Sequence, residues 1–253
     1  MSLYPILEFD PTREAIIEPS RTVKYLDAPE HCVVCFFGEV VEKICGEGRA
    51  RLVARNKWED GPHPLYEIEF NGQRLAVCHV GVGSSLAAGL FEEIIAQGCR
   101  KFIACGGCGV LDKDIAVGHI LVPTAAVRDE GVSYHYLPPS REVSATPAAV
   151  AAIERALQTR QIPYWLTKTW TTDAPYRETL AKMQQRKAEG CLAVEMETAA
   201  FFAVAQFRDV PFGQLLYGGD DVSGGEWDNR AWQSRADVRE NLFWLAAEAC
   251  LSL

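Results

Sequence analysis

Apolar and polar positions along this chain switch between short continuous apolar runs and helical spacings, and no single period holds for long. Residues 32–37 form an apolar run closed by Gly38, which predicts a buried strand feeding a helix over residues 39–45. Residues 65–70 and 73–80 flank Asn71-Gly72, a pair suited to the left-handed backbone of a two-residue turn, so they read as a β-hairpin. Over residues 84–97, Leu86, Leu90 and Ile94 recur at helical spacing, with Ser84 or Ser85 as N-cap and Gly98 as the stop. Residues 101–105 read as a strand that breaks into Gly106-Gly107-Cys108-Gly109, and residues 119–123, 164–171 and 213–219 as further strands. Thr146-Pro147 opens a helix reaching residue 161, and residues 191–207 pass from strand into helix. A last helix over residues 229–251 sets Leu242, Leu245, Ala246, Ala249 and Cys250 on one face. This alternation predicts an α/β fold: a single domain over residues 1–253 with a central mixed β-sheet flanked by helices.

Composition narrows the field. The 253 residues carry 25 Lys and Arg against 34 Asp and Glu, a net charge of −9, with hydrophobic residues at 48%. That length and apolar share allow a sizeable core and argue against disorder. The negative balance argues against a nucleic-acid partner but leaves room for a small nucleoside-like or phosphorylated ligand. No apolar run approaches the roughly 18 residues that span a bilayer, and residues 1–8 lack the basic-then-apolar layout of a signal peptide. Nine Cys, several inside apolar runs, match reduced core thiols. In a strand, Cys32 and Cys35 face opposite sides and cannot share a metal. Cys105 and Cys108 span glycines but lack the helix that activates a redox pair. A cytoplasmic protein with no membrane contact and no metal is expected.

Three segments are harder to explain as packing. Two apolar runs each end in glycines, at Gly81-Val82-Gly83-Ser84-Ser85 and Gly106-Gly107-Cys108-Gly109, where backbone N–H groups can approach an anion or a sugar. Val194-Glu195-Met196-Glu197 sets two carboxylates in an apolar stretch, costly unless something donates to them. A sugar diol is a suitable donor, and a helix N-terminus is the plainer alternative. Last, Leu215 to Val222 ends a buried strand in Asp220-Asp221, where a carboxyl beside another can stay protonated near neutral pH and act as a general acid.

In order and content, these motifs resemble the nucleoside phosphorylase superfamily that contains the hexameric purine and uridine phosphorylases and the methylthioadenosine nucleosidases. The two glycine segments, Asp129 to Tyr136, Thr171 to Tyr176, and above all Val194-Glu195-Met196-Glu197 carry the resemblance over more than half the chain. It implies cleavage of a nucleoside N-glycosidic bond, with phosphorolysis to free base and pentose 1-phosphate as the leading mode and hydrolysis as the rival. A nucleoside-binding protein that has lost catalysis is the non-enzymatic alternative. On this resemblance Glu197 would hold the ribose hydroxyls, Met196 would pack under the sugar and Glu195 would support the pocket. Gly106, Thr172 and Tyr176 would border the nucleoside, with Arg177-Glu178 serving the base, and Asp221, or failing it Asp220, would protonate the leaving base. Gly81, Gly107 and Arg55 are the candidates for phosphate, the co-substrate, with no other cofactor. The resemblance also implies a homo-oligomer, a dimer or hexamer, in which Arg49, Arg51 or Arg55 reaches a neighbour's site.

The departures bear on the same chemistry. Where phosphorylases of this superfamily keep an Arg and a Ser or Thr around the second glycine segment, this chain has Ala104 and Gly107. Cys35 to Val40 replaces the early Gly-Asp-Pro-x-x-Arg loop with no cation, and Thr179 and Ala181 stand where uridine phosphorylases select uracil.

Overall fold

The computed structural model of the chain describes residues 4–253. Its first five strands are β1 (His31–Cys35), β2 (Arg51–Trp58), β3 (Gly61–Phe70), β4 (Gln73–Cys78) and β5 (Lys101–Val110). They are followed by β6 (Ile120–Asp129), β7 (Glu142–Ser144), β8 (Tyr164–Thr172), β9 (Cys191–Glu195) and β10 (Phe212–Asp221). The helices are α1 (Pro19–Thr22), α2 (Gly38–Cys45), α3 (Ser84–Gln97), α4 (Pro147–Thr159), α5 (Leu180–Ala188), α6 (Thr198–Arg208) and α7 (Ala236–Leu251).

The sheet is mixed and half of it closes on itself. From β5, pairing runs antiparallel to β9, then parallel through β8 to β6, antiparallel to β10, and parallel back to β5. The open half continues from β5 through β1 and β4 to the β3–β2 hairpin edge. Alternate residues of the central strands face two separate cores. Cys32, Val34, Phe102 and Ala104 pack with α3 and α6, around Phe91, Phe201 and Phe212. Val33, Cys35, Ile103 and Cys105 pack with α2, α4 and α7. Burial on both faces explains why these strands read as unbroken apolar runs. It also puts Cys32 and Cys35 on opposite faces, and all nine Cys are buried free thiols.

Most expected elements appear close to their predicted places, with instructive differences. α3 has the predicted bounds, but its N-cap is Gly83, with Ser84 already in the helix. The glycine run 106–109 does not break its strand: β5 continues through it to Val110, paired with β10 and β9. The last helix starts at Ala236, because Arg230 and Ala231 adopt left-handed backbone and a 3-10 turn follows. β2 escaped prediction because it is an exposed, charged hairpin edge without clean alternation.

Ring closure depends on strands approaching closely. A Cβ on Gly218 would meet Ile115 Cγ2 at 2.9 Å, Val110 Cγ1 at 3.0 Å and the Ala116 carbonyl at 3.2 Å, none of them the free end of a flexible side chain. Gly218→Ala should therefore destabilise the fold by about 1–3 kcal/mol through overpacking. Urea unfolding measures this, and an unchanged midpoint would contradict the close packing of β10 on β5.

Candidate active site

The site is built where β9 turns into α6. Glu195, the last residue of β9, is buried, and its Oε2 accepts the Glu197 N–H at 2.8 Å and the Thr198 N–H at 2.6 Å. Its Oε1 accepts the Thr171 hydroxyl at 2.7 Å, and Thr171 Oγ1 in turn accepts the Ala199 N–H at 2.9 Å. Glu195 thus caps α6 through N–H groups that a helix start leaves free. The cap holds Met196 and Glu197 in the turn ahead of the helix. From the other side, the Gly83 N–H donates to Glu197 Oε1 at 2.5 Å and Ser84 Oγ donates to the Met196 carbonyl at 2.6 Å. Gly83 has φ +98°, a backbone that suits glycine. The first glycine loop therefore latches the carboxylate turn.

Met196 and Glu197 face a cavity of about 290 Å³, which Gly106 to Gly109 of β5 also line. Asp220, Glu178 and Pro175 line it as well, together with Gln214 on β10 and Arg239 on α7. A larger hollow of about 390 Å³ lies by α3 and α6, but its buried charges are already paired, Arg208 bonding both Glu92 and Glu18. The smaller cavity is the one that gathers groups able to do chemistry.

The structure separates the paired aspartates. β10 slips register against β5 between Gly218 and Asp221, and neighbouring strand residues face opposite sides. Asp220 faces the cavity, where its Oδ2 accepts the Trp227 indole N–H at 2.7 Å. Asp221 instead pairs with Arg230 and accepts the Ser223 N–H at 2.7 Å, so the first choice of acid, Asp221, is engaged in holding the following loop.

Other expected residues divide in the same way. Gly106 and Gly107 border the cavity, but their missing side chains make room for rings: a Cβ would lie 3.2 Å from Phe36 at Gly106 and 3.2 Å from Tyr217 at Gly107. Gly81 is not among the lining residues, and its N–H donates to His79 Nδ1 at 3.1 Å, which removes it as an anion donor. Thr172 is buried in its own turn, its hydroxyl accepting the Ala174 N–H at 3.2 Å. Tyr176 is 98% exposed and Arg177 is exposed too, because the 3-10 turn Pro175–Arg177 points them to solvent, while Pro175 and half-buried Glu178 border the cavity. Arg55 stands exposed on β2, outside the cavity of its own chain. Gln214 and Arg239 were missed in the sequence. Gln214 lies in a featureless apolar run, yet β10 sets it in register with Ala104. Arg239 reads as one charge among several on α7, yet its guanidinium lies 4.5 Å from the Phe37 ring centroid and 2.8 Å from Glu39.

Comparison with known proteins bears on this geometry. A model of the phosphorylase superfamily matches residues 30–249. The chain belongs to the phosphorylase superfamily. It is 29% identical over 189 residues to a guanosine phosphorylase of Halorubrum lacusprofundi, covering 74% of this chain and 75% of that one. Its fold is shared by an AMP nucleosidase from Bacteroides thetaiotaomicron, at 24% identity with a TM-score of 0.71 over 89% of each chain. It is shared as well by a uridine phosphorylase from Vibrio fischeri ES114, at 21% identity and TM-score 0.76 over 93% of this chain and 98% of the other.

In this superfamily member the cavity is strongly acidic. Burial and then the neighbouring Glu195 charge push the Glu197 carboxyl up to about 8, against the pull of the Gly83 and Met196 N–H groups. Burial pushes Glu178 up to about 7, helped by the charge of Asp220. Burial also raises Glu195, opposed by the Thr171 hydroxyl and by the N–H groups of Glu197 and Thr198.

A raised carboxyl binds its proton more tightly in the folded state than in the unfolded chain, so its effect is to lower stability as pH rises. For Glu197 the loss runs from the ordinary value of 4.5 up to about 8, at about 1.4 kcal/mol per pH unit within that window. Glu197→Gln keeps an acceptor for Gly83 and removes the titration. Its stability relative to the parent should therefore rise by a few kcal/mol between pH 5 and pH 8, measured by urea unfolding of both proteins. A difference that stays constant with pH would show that Glu197 is not the buried acid described.

Proposed function

We propose that the protein cleaves the N-glycosidic bond of a ribonucleoside. The observation that carries this reading is a single cavity holding Glu197 and Met196 in one wall and a side-chain acid, Asp220, in another. Glu197 accepts from the ribose 2′- and 3′-hydroxyls, and Met196 packs on the sugar. As the bond from C1′ to the base nitrogen breaks, its electron pair goes to the base and Asp220 delivers a proton there. The sugar becomes oxocarbenium-like, a cation favoured by the carboxylates beside it. The Trp227 N–H keeps Asp220 aimed into the cavity.

Phosphate is the nucleophile in the leading reading, giving free base and ribose 1-phosphate, and the guanosine phosphorylase relative supports it. Arg239 is the one cation lining the cavity among the described residues, which makes it this chain's own candidate for the anion. A phosphate dianion calls for several charge-assisted bonds, so the reading includes a homo-oligomer in which exposed Arg55 enters a neighbour's site. Exposed apolar Ile16 and Ile17, at 102% and 77%, are consistent with a face that a second copy covers. Hydrolysis is the second reading, and one observation favours it. Next to Ala104 stands Gln214, a neutral amide whose Oε1 accepts the Thr198 hydroxyl at 3.0 Å, and a neutral donor suits water better than phosphate.

Incubation with a panel of ribonucleosides, with and without inorganic phosphate, tests the proposal. Free base with ribose 1-phosphate is the expected product, free ribose marks hydrolysis, and no free base from any nucleoside overturns the proposal. Asp220→Asn should lower kcat and kcat/KM together by about 10²–10⁴-fold. A nucleoside analogue with a pre-activated leaving group, which needs no proton, should be spared, and equal losses on both substrates would remove Asp220 as the acid. Asp221→Asn should instead lower stability, as expected for a carboxylate paired with Arg230, and leave the activated and natural substrates in their parental ratio. Glu197→Ala should lower kcat/KM for every ribonucleoside by about 2–4 kcal/mol of transition-state binding. Light scattering at micromolar concentration should report at least a dimer, and a fully active monomer would contradict the shared site.

A further inference from the structure

Gln214 is a polar residue in an apolar row. On β10 it stands between Phe212 and Leu216 on one face of the strand, both fully buried, and it is itself only 1% exposed. Its amide is held from one side. The oxygen Oε1 accepts the Thr198 hydroxyl at 3.0 Å, and Thr198 is fixed as the first residue of α6, its N–H donating to Glu195 at 2.6 Å. The NH2 group has no acceptor among the described residues, yet it is not sealed into the core, because Gln214 opens on the cavity. A buried amide donor without a partner is unfavourable, and here only a group inside the cavity can supply the acceptor.

Position decides what that group is. Gln214 and Asp220 lie six residues apart on one strand, about 20 Å of extended chain, and stand at opposite ends of the cavity. Met196 and Glu197 directly precede Thr198, the residue that Gln214 bonds, so the amide adjoins the sugar wall on the side away from Asp220. With the base at Asp220 and the ribose on Met196 and Glu197, the amide faces the side of the sugar opposite the departing base. An oxygen attacking C1′ enters on that side. An NH2 group suits it, since it donates to one lone pair and leaves another free for C1′.

Resting on the glycosidic-cleavage reading above, we propose that the Gln214 amide holds the attacking oxygen against C1′. The oxygen belongs to a molecule HO–X, where X is hydrogen for water or the phosphoryl group for phosphate. The C1′–N bond breaks, its electron pair goes to the base, and the base takes the proton of Asp220. A lone pair of the oxygen forms the C1′–O bond and the proton of HO–X is released to solvent. Asp220 takes a proton back from solvent, so nucleoside and HO–X give free base and sugar–OX.

The test uses Gln214→Met, close in size to the parent residue and apolar like its neighbours on the strand. A ribonucleoside that the parent cleaves is supplied with and without phosphate, and free ribose and ribose 1-phosphate are measured separately, which tells water from phosphate as the source of the oxygen. The kcat for the parental product should fall by about 10²–10³-fold. Calorimetric affinity for a C-nucleoside, whose C1′–C bond is not cleaved, should stay within about threefold of the parent, because Gln214 touches the attacking oxygen and not the nucleoside. Thr198→Val removes the hydroxyl that orients the amide and should lower kcat by about tenfold or more with the same unchanged affinity. Should Gln214→Met not fold, Thr198→Val decides on the same criteria. A kcat within about threefold of the parent, or a C-nucleoside affinity that falls as far as kcat, as a bond to a ribose hydroxyl would give, overturns the assignment of Gln214 and leaves cleavage standing. A parent that releases no base from any nucleoside overturns cleavage and the role of Gln214 together, so the two failures read differently.

Discussion

The site depends on the carboxylate of Glu195. A charge enclosed by β8, β9 and α6 is tolerable only if its lone pairs are filled, and here two main-chain N–H groups and the Thr171 hydroxyl fill them. Those N–H groups belong to the N-cap Glu197 and to Thr198, the first residue of α6, so satisfying the charge also fixes the start of the helix. Glu197 and Met196 lie in the two residues between strand and helix and have no freedom left once both ends are tied. Gly83 and Ser84 then close the turn from α3. An amide at position 195 could keep one oxygen for the N–H groups of Glu197 and Thr198, but its hydrogens would then face the Thr171 hydroxyl that now donates there, and that tie between β8 and the turn would be lost.

The empty cavity works against itself. Burial raises both Glu197 and Glu178, the charges of Glu195 and Asp220 add to it, and Arg239 is the one cation among the described lining residues. Such self-repulsion lowers stability, which is common where a site is shaped for a partner that brings the missing donors. In the proposed reaction, ribose hydroxyls, base N–H groups and a sugar turning cationic all relieve it. A phosphate dianion does not, and that asymmetry is the physical reason the choice of nucleophile turns on cations from outside this set of residues.

The sequence disclosed what strong local contrast can disclose. Two Glu in an apolar stretch, an Asn-Gly turn between apolar runs and a helix bounded by Ser84 and Gly98 each set unlike residue types side by side, and each lies close to where it was expected. Glu178 has no such contrast, and the sequence offers it only together with Arg177. It follows Tyr176 and Arg177, which look more suited to stacking on or bonding a base, and only the 3-10 turn decides that those two point to solvent while Glu178 borders the cavity. Asp220 and Asp221 are equivalent as letters, and a register slip that strand alternation cannot foretell separates them. Gln214 and Arg239 reach the cavity through pairing and packing with residues far away in the chain, which no local pattern encodes.

The glycines of β5 illustrate how one signal can be located correctly and given the wrong cause. They border the cavity, as a glycine-rich anion loop does, but they lie in a continuous strand, Gly106 and Gly107 paired with Leu216 and Tyr217 of β10, rather than in an open turn. What the missing side chains provide is volume, taken up by Phe36, Tyr217 and Trp232. The wall facing Met196 and Glu197 is therefore flat and apolar, built into the closed ring formed by β5, β9, β8, β6 and β10. Glu197 follows the end of β9 and Asp220 lies near the end of β10, and both of those strands pair directly with β5. The separation between Glu197 and Asp220, the groups proposed to hold the sugar and to protonate the base, is thus set by strand pairing, as preorganised catalysis requires.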